Sequence, residues 1–385
     1  MPQDSPPQYR VLVEKDVSMT TRDGLTLRAD VYRPDAPGRF PVLLSRLPYD
    51  KNLRPRPGDI DYFVERGYGV IMQDTRGRFS SEGEEYYALI WEMADGYDAV
   101  EWAAGLPWAD GKVGTTGQSY LGATQYLLAP SRPPHLKAAF PVSAAADFHQ
   151  CWVYHTGGAF EFGWQIPYAI FMARDSLERQ GLNPQLLSTL ERDLIPAPTP
   201  FAQPLSEEAY GRLPLMDWGD LLRPVARYLT DYLRHPEEGP YWWAINVERQ
   251  HANINIPMYH VTSWYDIFLH GGLTHYCGLR QHAMTLEARR AKAFGGTVGA
   301  PVSLYLSVIR RYRGYRLWPQ CPYRIARDAV ALVRLLPQRH RHGDSGGSSG
   351  KDLCDGRKRL ARRAGMAAGA HSLYAILPAQ SGIGQ

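Results

Sequence analysis

The stretch KVGTTGQSYLGATQYLL, residues 112–128, decides how the rest of the chain is interpreted. Lys112–Thr116 is typical of a short buried strand, and Tyr120–Leu128 is typical of a buried helix. Between them Ser119 has a glycine two positions before it and another three positions after it. A tight strand-to-helix turn would expose this hydroxyl near the positive end of the helix, so Ser119 is a candidate nucleophile. A surface loop can carry the same G-x-S-x-x-G string.

Strand and helix patterns alternate on both sides of this stretch. Residues 10–33 alternate apolar and polar positions around Asp23-Gly24, which predicts a β-hairpin. Helices are predicted at 60–66 and 88–104, and buried strands at Phe40–Leu44, Gly69–Gln73, Ala138–Val142 and Ile256–Thr262. The alternation predicts an α/β fold with a mostly parallel sheet that binds ligands at the carboxyl ends of its strands.

Residues 146–250 interrupt the alternation with aromatic-rich helical stretches and proline-rich loops. An insertion between two sheet strands is typical of a cap over a pocket, although a separate helical domain away from the site fits the same pattern. The sequence predicts a core in two parts, residues 1–145 and 251–290. A helical cap insertion is predicted between them at 146–250, and a tail follows at 291–385.

Asp266 follows the last predicted strand of the core and precedes a predicted helix. On a sheet of this kind the catalytic order along the chain is serine, acid, histidine, and a strand end is where the acid is expected. An aspartate that caps the following helix fits the same position. Asp266 is therefore the candidate acid.

Composition excludes several other classes of protein. None of the apolar runs reaches the roughly 18 residues that span a bilayer, and the first ten residues lack the pattern of a signal peptide, so we expect a cytoplasmic protein without membrane contact. The four cysteines have no paired CxxC spacing, and no metal or organic cofactor is implied. We expect a small-molecule ester or amide substrate and no nucleic acid, and the sequence allows a homo-oligomer.

Four segments resemble the cocaine-esterase and X-Pro dipeptidyl-peptidase branch of the α/β-hydrolases, which includes acyl esterases and β-lactam acylases. They are PVLLSRLPYDK (41–51), GYGVIMQDTRGRFSSEG (67–83), DGYDAVEWAAGLPWADGKVGTTGQSYLG (95–122) and SWYDIFLHGGL (263–273). The resemblance implies a serine hydrolase in which Ser119 is the nucleophile and Asp266 orients the histidine. It further implies an oxyanion hole made of the Tyr49 phenol and the Tyr120 backbone N–H. Aromatic cap residues are candidates for lining an acyl pocket or for plain core: Trp152, Phe162, Trp164, Trp242 and Trp243.

The histidine that this family carries shortly after the aspartate, in a G-P-W-x-H stretch, is absent from the sequence. His275 and His282 stand on the predicted helix after Asp266 and are better explained as packed or solvated residues. Residues 295–301 (GGTVGAP) have synonymous codons that, read one base further on, give Val-Gly-Pro-Trp-Val-His. The same shift converts 332–343 and 343–368 into sequence that resembles the family beyond its histidine.

We therefore interpret residues 291–385 as out of frame, with the slip between about 285 and 294. This segment holds 16 Lys and Arg against 4 Asp and no Glu, whereas residues 1–290 hold 27 basic and 35 acidic residues. Such a tail is expected to be poorly ordered, and the C-terminal jelly-roll domain of the family is expected to be absent. A nucleic-acid-binding tail is the alternative explanation of the arginines.

The sequence thus predicts a serine esterase or acylase by lineage that is inactive as written, because it lacks the base that activates the serine. Two alternatives stay open. One is an X-Pro dipeptidyl-peptidase, for which Glu161 is a candidate anchor of the substrate amino group. The other is a non-catalytic scaffold that keeps the ligand pocket.

Overall fold

The structure is a computed structural model, and it describes residues 6–52, 57–154, 157–182, 185, 210–264, 266–290 and 292–296. Within them, eight strands form one sheet in the order β1-β2-β4-β3-β5-β6-β7-β8. The strands are β1 (Val11–Thr20), β2 (Thr26–Pro34), β3 (Phe40–Leu47), β4 (Gly69–Asp74), β5 (Ala109–Gln118), β6 (Leu136–Val142), β7 (Tyr259–Ser263) and β8 (Lys292–Gly296).

The sheet is mostly parallel. The predicted hairpin joins β1 to β2, which pair antiparallel from Thr20 opposite Thr26 to Val11 opposite Pro34. Strand β2 also pairs antiparallel with β4, whereas the neighbours from β4 through β3, β5, β6 and β7 to β8 are parallel. The mostly parallel α/β sheet expected from the sequence is confirmed.

Helices cover the sheet and form the cap. The described residues contain α1 (Pro57–Val64), α2 (Glu92–Ala104), α3 (Tyr120–Leu128), α4 (Phe162–Gln180), α5 (Met216–Leu222), α6 (Arg227–Arg234), α7 (Pro240–Trp243), α8 (Leu269–His282) and α9 (Leu286–Arg289). Two 3₁₀ turns (Ala129–Ser131 and Glu248–Asn253) and one π turn (His149–Val153) complete the helical elements. Among these described helices, none combines the length and apolarity that a membrane span requires.

The core lies where the apolar strands meet the helices. Strand β4 is buried along its whole length, and β3 is buried at seven of its eight positions. This explains why both segments are nearly continuous apolar runs, as strands covered on both faces require. One buried cluster joins these strands to α1 and consists of Tyr32, Leu43, Leu47, Ile60, Val64, Tyr68, Val70 and Met72.

Two element boundaries differ from the sequence-based expectation. The helix expected at 88–104 begins at Glu92, because Leu89 has a φ of +72° and its amide N–H donates to the Tyr120 hydroxyl at 2.9 Å. The sheet also extends further than expected, since residues 292–296, which the sequence analysis assigned to the tail, pair in parallel with β7. The remainder of that tail, 297–385, lies outside the described residues.

Candidate active site

Ser119 stands at a sharp turn between β5 and α3. Its φ of +60° and ψ of −123° lie in a region that side-chain-bearing residues rarely adopt. The turn needs small neighbours: a Cβ on Gly117 would lie 2.3 Å from the Leu121 Cβ, and one on Gly122 would lie 2.9 Å from the Val142 oxygen. The spacing of the G-x-S-x-x-G motif is explained by these two close approaches.

Backbone hydrogen bonds hold the turn. The Ser119 N–H donates to the Val142 oxygen at 2.9 Å, which ties the turn to the carboxyl end of β6. The Ser119 carbonyl accepts the N–H groups of Gly122 and Ala123, at 2.8 and 2.9 Å, and so begins the hydrogen bonding of α3. The side chain makes no cap bond to the helix and is only partly buried. The hydroxyl is thus partly accessible and does not cap the helix.

Tyr49 lies beside this serine. It follows β3, and its phenol is hydrogen-bonded to the hydroxyls of Ser119 and Tyr168. The ring packs between Tyr120 and Phe171, with each centroid separation 6.2 Å. Burial raises the pKa of Tyr49 to about 12, although the hydrogen bonds from Tyr168 and Ser119 oppose the shift. The phenol therefore stays protonated at neutral pH and is able to donate a hydrogen bond.

Tyr120 is the first residue of α3, and the N–H of a first helical residue has no acceptor within its own helix. The side chain is completely buried, and its hydroxyl donates to Glu92 Oε1 at 2.9 Å. The other oxygen of Glu92 receives a 2.6 Å bond from the Arg46 guanidinium. Burial raises the pKa of Glu92, and Arg46 opposes that rise. A buried ion pair thus anchors the residue whose amide adjoins Ser119.

Arg78 holds the segment that carries Tyr49 against the cap. Its Nε donates to the Pro48 oxygen and its Nη1 to the Met172 oxygen of α4, both at 2.8 Å. The guanidinium is buried, and its charge lowers the pKa of the Tyr49 phenol. The sequence analysis did not single out this residue, because an arginine in a loop is ordinarily solvated.

Asp266 comes three residues after β7 and is buried. Its Oδ2 accepts the Thr262 hydroxyl and its Oδ1 accepts the Phe268 N–H, both at 2.9 Å. The second bond closes a local turn just before α8, whose N-cap residue is Phe268 and has no side-chain cap bond. Its charge also contributes to the raised pKa of Tyr126 on α3, the helix that begins immediately after Ser119.

The strand register brings Ser119 and Asp266 to one edge of the sheet. Gln118 is aligned with Val142, and Val142 is aligned with Val261. Neighbouring strands are about 4.8 Å apart, so the backbones of β5 and β7 lie about 10 Å apart at this level. Both candidate residues follow their strands at the carboxyl edge, where the ligands of parallel sheets bind.

The histidines considered from the sequence lie elsewhere. His275 is completely buried, with Nδ1 at 2.9 Å from His251 Nε2 and Nε2 at 3.2 Å from the Ala145 oxygen. His282 is exposed at the end of α8. Strand β8 pairs with β7 as far as Gly296, and the residues that follow lie outside the described ones. The two candidates therefore do not face Ser119 as its base.

The predicted pocket aromatics divide into two groups. Trp152 is buried, with its ring 5.2 Å from Phe268 and 6.0 Å from Tyr120. Trp164 stacks on Tyr168 at 5.8 Å. Phe162 instead packs against Tyr210 and Trp218 inside the cap, each at 5.5 Å.

Trp242 and Trp243 lie in α7, and their ring contacts are with other residues of the cap. Trp242 is buried against Tyr232 at 5.1 Å, whereas Trp243 is exposed. The sequence analysis missed three aromatic residues that contact the surroundings of Ser119. Tyr86 contacts Tyr120, and Tyr168 and Phe268 contact Trp152. Among the described residues, no group of His, Cys, Asp and Glu is arranged to hold a metal ion.

Comparison with known proteins places most of the chain in one family. Residues 23–293 match the family described as X-Pro dipeptidyl-peptidase (S15 family). The chain is 33% identical to the cocaine esterase of Rhodococcus sp. (strain MB1 Bresler) over 282 residues, which cover 70% of this chain and 47% of the relative. The chain therefore spans about half the length of this curated relative.

Solved structures share the fold. A CocE/NonD family hydrolase from Staphylococcus aureus superposes with a TM-score of 0.53 at 22% identity, covering 72% of this chain and 45% of the other. An α-amino acid ester hydrolase gives a TM-score of 0.54 at 20% identity, covering 73% and 47%. The sequence match over residues 23–293 and the shared fold lead to one conclusion: this chain belongs to the X-Pro dipeptidyl-peptidase (S15) family of α/β-hydrolases.

Proposed function

We propose that the chemistry of this lineage is acyl transfer to water with Ser119 as the nucleophile. One observation carries the proposal: a serine at φ +60°, on a strand-to-helix turn, shares a hydrogen bond with the phenol of Tyr49. A strained serine whose hydroxyl meets a protonated donor is suited to attack a carbonyl carbon and to have the resulting charge stabilised.

The proposed reaction begins when Ser119 Oγ attacks the carbonyl carbon of an ester or amide and gives its proton to a base. The carbonyl π pair moves to oxygen, and the Tyr49 hydroxyl and Tyr120 N–H donate to that oxyanion. The intermediate collapses, and the alcohol or amine leaves with the proton held by the base. Water then attacks the acyl-serine in the same way, releases the acid and restores Ser119. Asp266 orients the base.

We further propose that the chain as written lacks this base. Loss of one member of a catalytic triad removes most of the rate and leaves substrate binding and oxyanion stabilisation. The family match ends at residue 293, within the interval where the sequence analysis locates the frame slip. In the restored frame the histidine falls four residues after the end of β8, which lies beside the strand that leads to Asp266.

The test compares two proteins, the chain as written and a version with one base removed between codons 285 and 294, each alongside its Ser119→Ala variant. We expect the restored protein to hydrolyse p-nitrophenyl acetate and to react with a fluorophosphonate at Ser119. The chain as written should do neither above its Ser119→Ala background. Fluorophosphonate labelling of the chain as written at the rate of the restored protein would overturn the proposed loss of the base.

The X-Pro dipeptidyl-peptidase activity is the second candidate, and the family match favours it. That activity needs a group that anchors the substrate amino terminus, and Glu161, which precedes α4, is the candidate. A higher kcat/KM of the restored protein for an X-Pro p-nitroanilide than for p-nitrophenyl acetate would favour the peptidase. Saturable ester binding without turnover in the restored protein would favour a non-catalytic scaffold.

A further inference from the structure

Four phenols form one cluster beside Ser119. Tyr49 is hydrogen-bonded to Ser119 and Tyr168, and the Tyr168 hydroxyl lies 3.4 Å from that of Tyr86. The ring of Tyr228, from helix α6 of the cap, meets the ring of Tyr86 edge-on at 5.7 Å. The hydroxyl of Tyr228 also interacts electrostatically with Tyr49. The cap thus contributes two of the four phenols, Tyr168 from α4 and Tyr228 from α6.

The Tyr228 hydroxyl differs from the others because it has no hydrogen-bond partner among the described residues. The side chain is only 1% exposed, so solvent does not satisfy it either. Leaving a buried hydroxyl unpaired destabilises a fold, and a phenylalanine would fill the same space without that cost. The unpaired Tyr228 hydroxyl is therefore explained if a bound ligand accepts its hydrogen bond.

The charged groups near this cluster are already engaged. Arg78, whose charge acts on Tyr228, donates to two backbone oxygens and lies 3.4 Å from Asp175. Glu92 is bound by Arg46 and Tyr120. What the cluster offers a ligand is therefore ring faces and one phenolic O–H, which suits a neutral aromatic group.

We propose that Tyr228 is a specificity-determining residue whose hydroxyl donates to an oxygen acceptor on the aryl group of a neutral aromatic ester. This inference rests on the proposed function, because it assumes that the ester carbonyl lies at Ser119. It adds a substrate class, oxygen-substituted aryl esters, and assigns their recognition to the cap.

The experiment measures equilibrium binding of two esters of similar shape to the full chain by titration calorimetry. Methyl 4-acetylbenzoate carries a carbonyl acceptor on the ring, and methyl 4-isopropylbenzoate replaces it with an apolar group. A single buried hydrogen bond predicts about 5- to 10-fold tighter binding of the acetyl ester. The variant Tyr228→Phe should bind both esters with equal affinity.

Tyr232→Phe is the matched control. Tyr232 lies one turn further along the same helix, is equally buried and also has an unpaired hydroxyl. Its ring contacts Tyr228 on one side and Tyr241 and Trp242 on the other, so it is one residue further from Tyr86. This variant should keep the preference for the acetyl ester. Both variants should melt at or above the temperature of the unmodified chain, because each removes an unpaired hydroxyl. A merely structural role for Tyr228 would instead lower the melting temperature and leave the preference intact.

Each outcome decides one point. Saturable binding of both esters with the same ratio in the unmodified chain and in Tyr228→Phe would overturn the role of Tyr228 and leave the proposed function standing. Absence of saturable binding of either ester to the unmodified chain would overturn this inference and leave the proposed function standing, because that function is tested separately by hydrolysis of p-nitrophenyl acetate in the restored protein. Loss of the preference in Tyr232→Phe as well would also count against a specific role for Tyr228.

Discussion

The Tyr49 phenol and the Ser119 hydroxyl share a hydrogen bond although they follow different strands, β3 and β5. Those strands are neighbours in the sheet, with Leu44 aligned with Thr115. Two residues that are 70 positions apart in sequence therefore meet because parallel strands end at one edge.

Tyr49→Phe should lower kcat/KM of the frame-restored protein for p-nitrophenyl acetate by about 10²- to 10³-fold, because it removes one donor to the oxyanion. The fall should appear in kcat, since the bond strengthens only as charge develops on the substrate oxygen. Tyr62→Phe, on α1, is the control and should keep full activity. An unchanged kcat in Tyr49→Phe would exclude the phenol from the oxyanion hole.

Ser119→Gly should be more stable than Ser119→Ala by about 1 kcal/mol. At ordinary positions glycine is the less stable of the two, but at φ +60° and ψ −123° it relieves backbone strain that alanine retains. Urea unfolding followed by circular dichroism measures the difference. If the alanine variant proves the more stable, the turn is unstrained in solution.

Glu92→Gln should cost about 3–5 kcal/mol of unfolding free energy, because it removes the nearer of the two carboxylates that pair with the buried Arg46 guanidinium and leaves only Asp95, at 3.9 Å. The surface pair Arg22–Asp98 is the matched control, since Arg22 is largely exposed. Arg22→Ala should cost no more than about 1 kcal/mol. Equal losses of unfolding free energy from the two substitutions would show that the buried pair stabilises the fold no more than the surface pair does.

The stability of the fold should fall below pH 6.5. Burial lowers the pKa of His251 to about 4 and that of His260 to about 3. The unfolded chain, with histidine pKa values near 6.5, then binds more protons than the folded one, so acidification favours unfolding. Each such histidine contributes full stability above about pH 6.5 and loses about 1.4 kcal/mol per pH unit as the pH falls towards its folded value.

Urea midpoints measured at pH 7, 6 and 5 test this dependence. His251→Gln should flatten it, because one of the histidines that stay neutral in the fold is gone. His235→Gln is the control: His235 is exposed on the cap and should leave the slope as it is. A slope that is the same in all three proteins would contradict the assignment to the buried cluster.

Local patterns predicted the parts of the fold that depend on neighbours in sequence. Tyr120–Leu128 was expected as a helix with the bounds that the structure has, because an apolar run after a glycine-flanked turn leaves few alternatives. The start of α2 was misplaced, since it depends on the hydroxyl of Tyr120, 31 residues away from Leu89.

The same distinction between local and long-range information applies to the candidate site. Ser119 and Asp266 were predicted as candidates from strand ends and motif, and these roles stay predictions. Tyr168 and Tyr228 were not predicted, because a cap rich in aromatic residues gives no sign of which rings lie near the serine. Phe162 illustrates the difficulty: it is on the same helix as Tyr168 but contacts Trp218 inside the cap.

The bonds from Thr262 and Phe268 to Asp266 involve no histidine. The carboxylate that we propose as the catalytic acid is thus held in place by residues of its own neighbourhood alone. Free imidazole added to the chain as written should then act as a surrogate base, raising ester hydrolysis above the rate that the Ser119→Ala variant shows at the same imidazole concentration. Chemical rescue of this kind would make the chain as written a convenient host for testing non-natural bases.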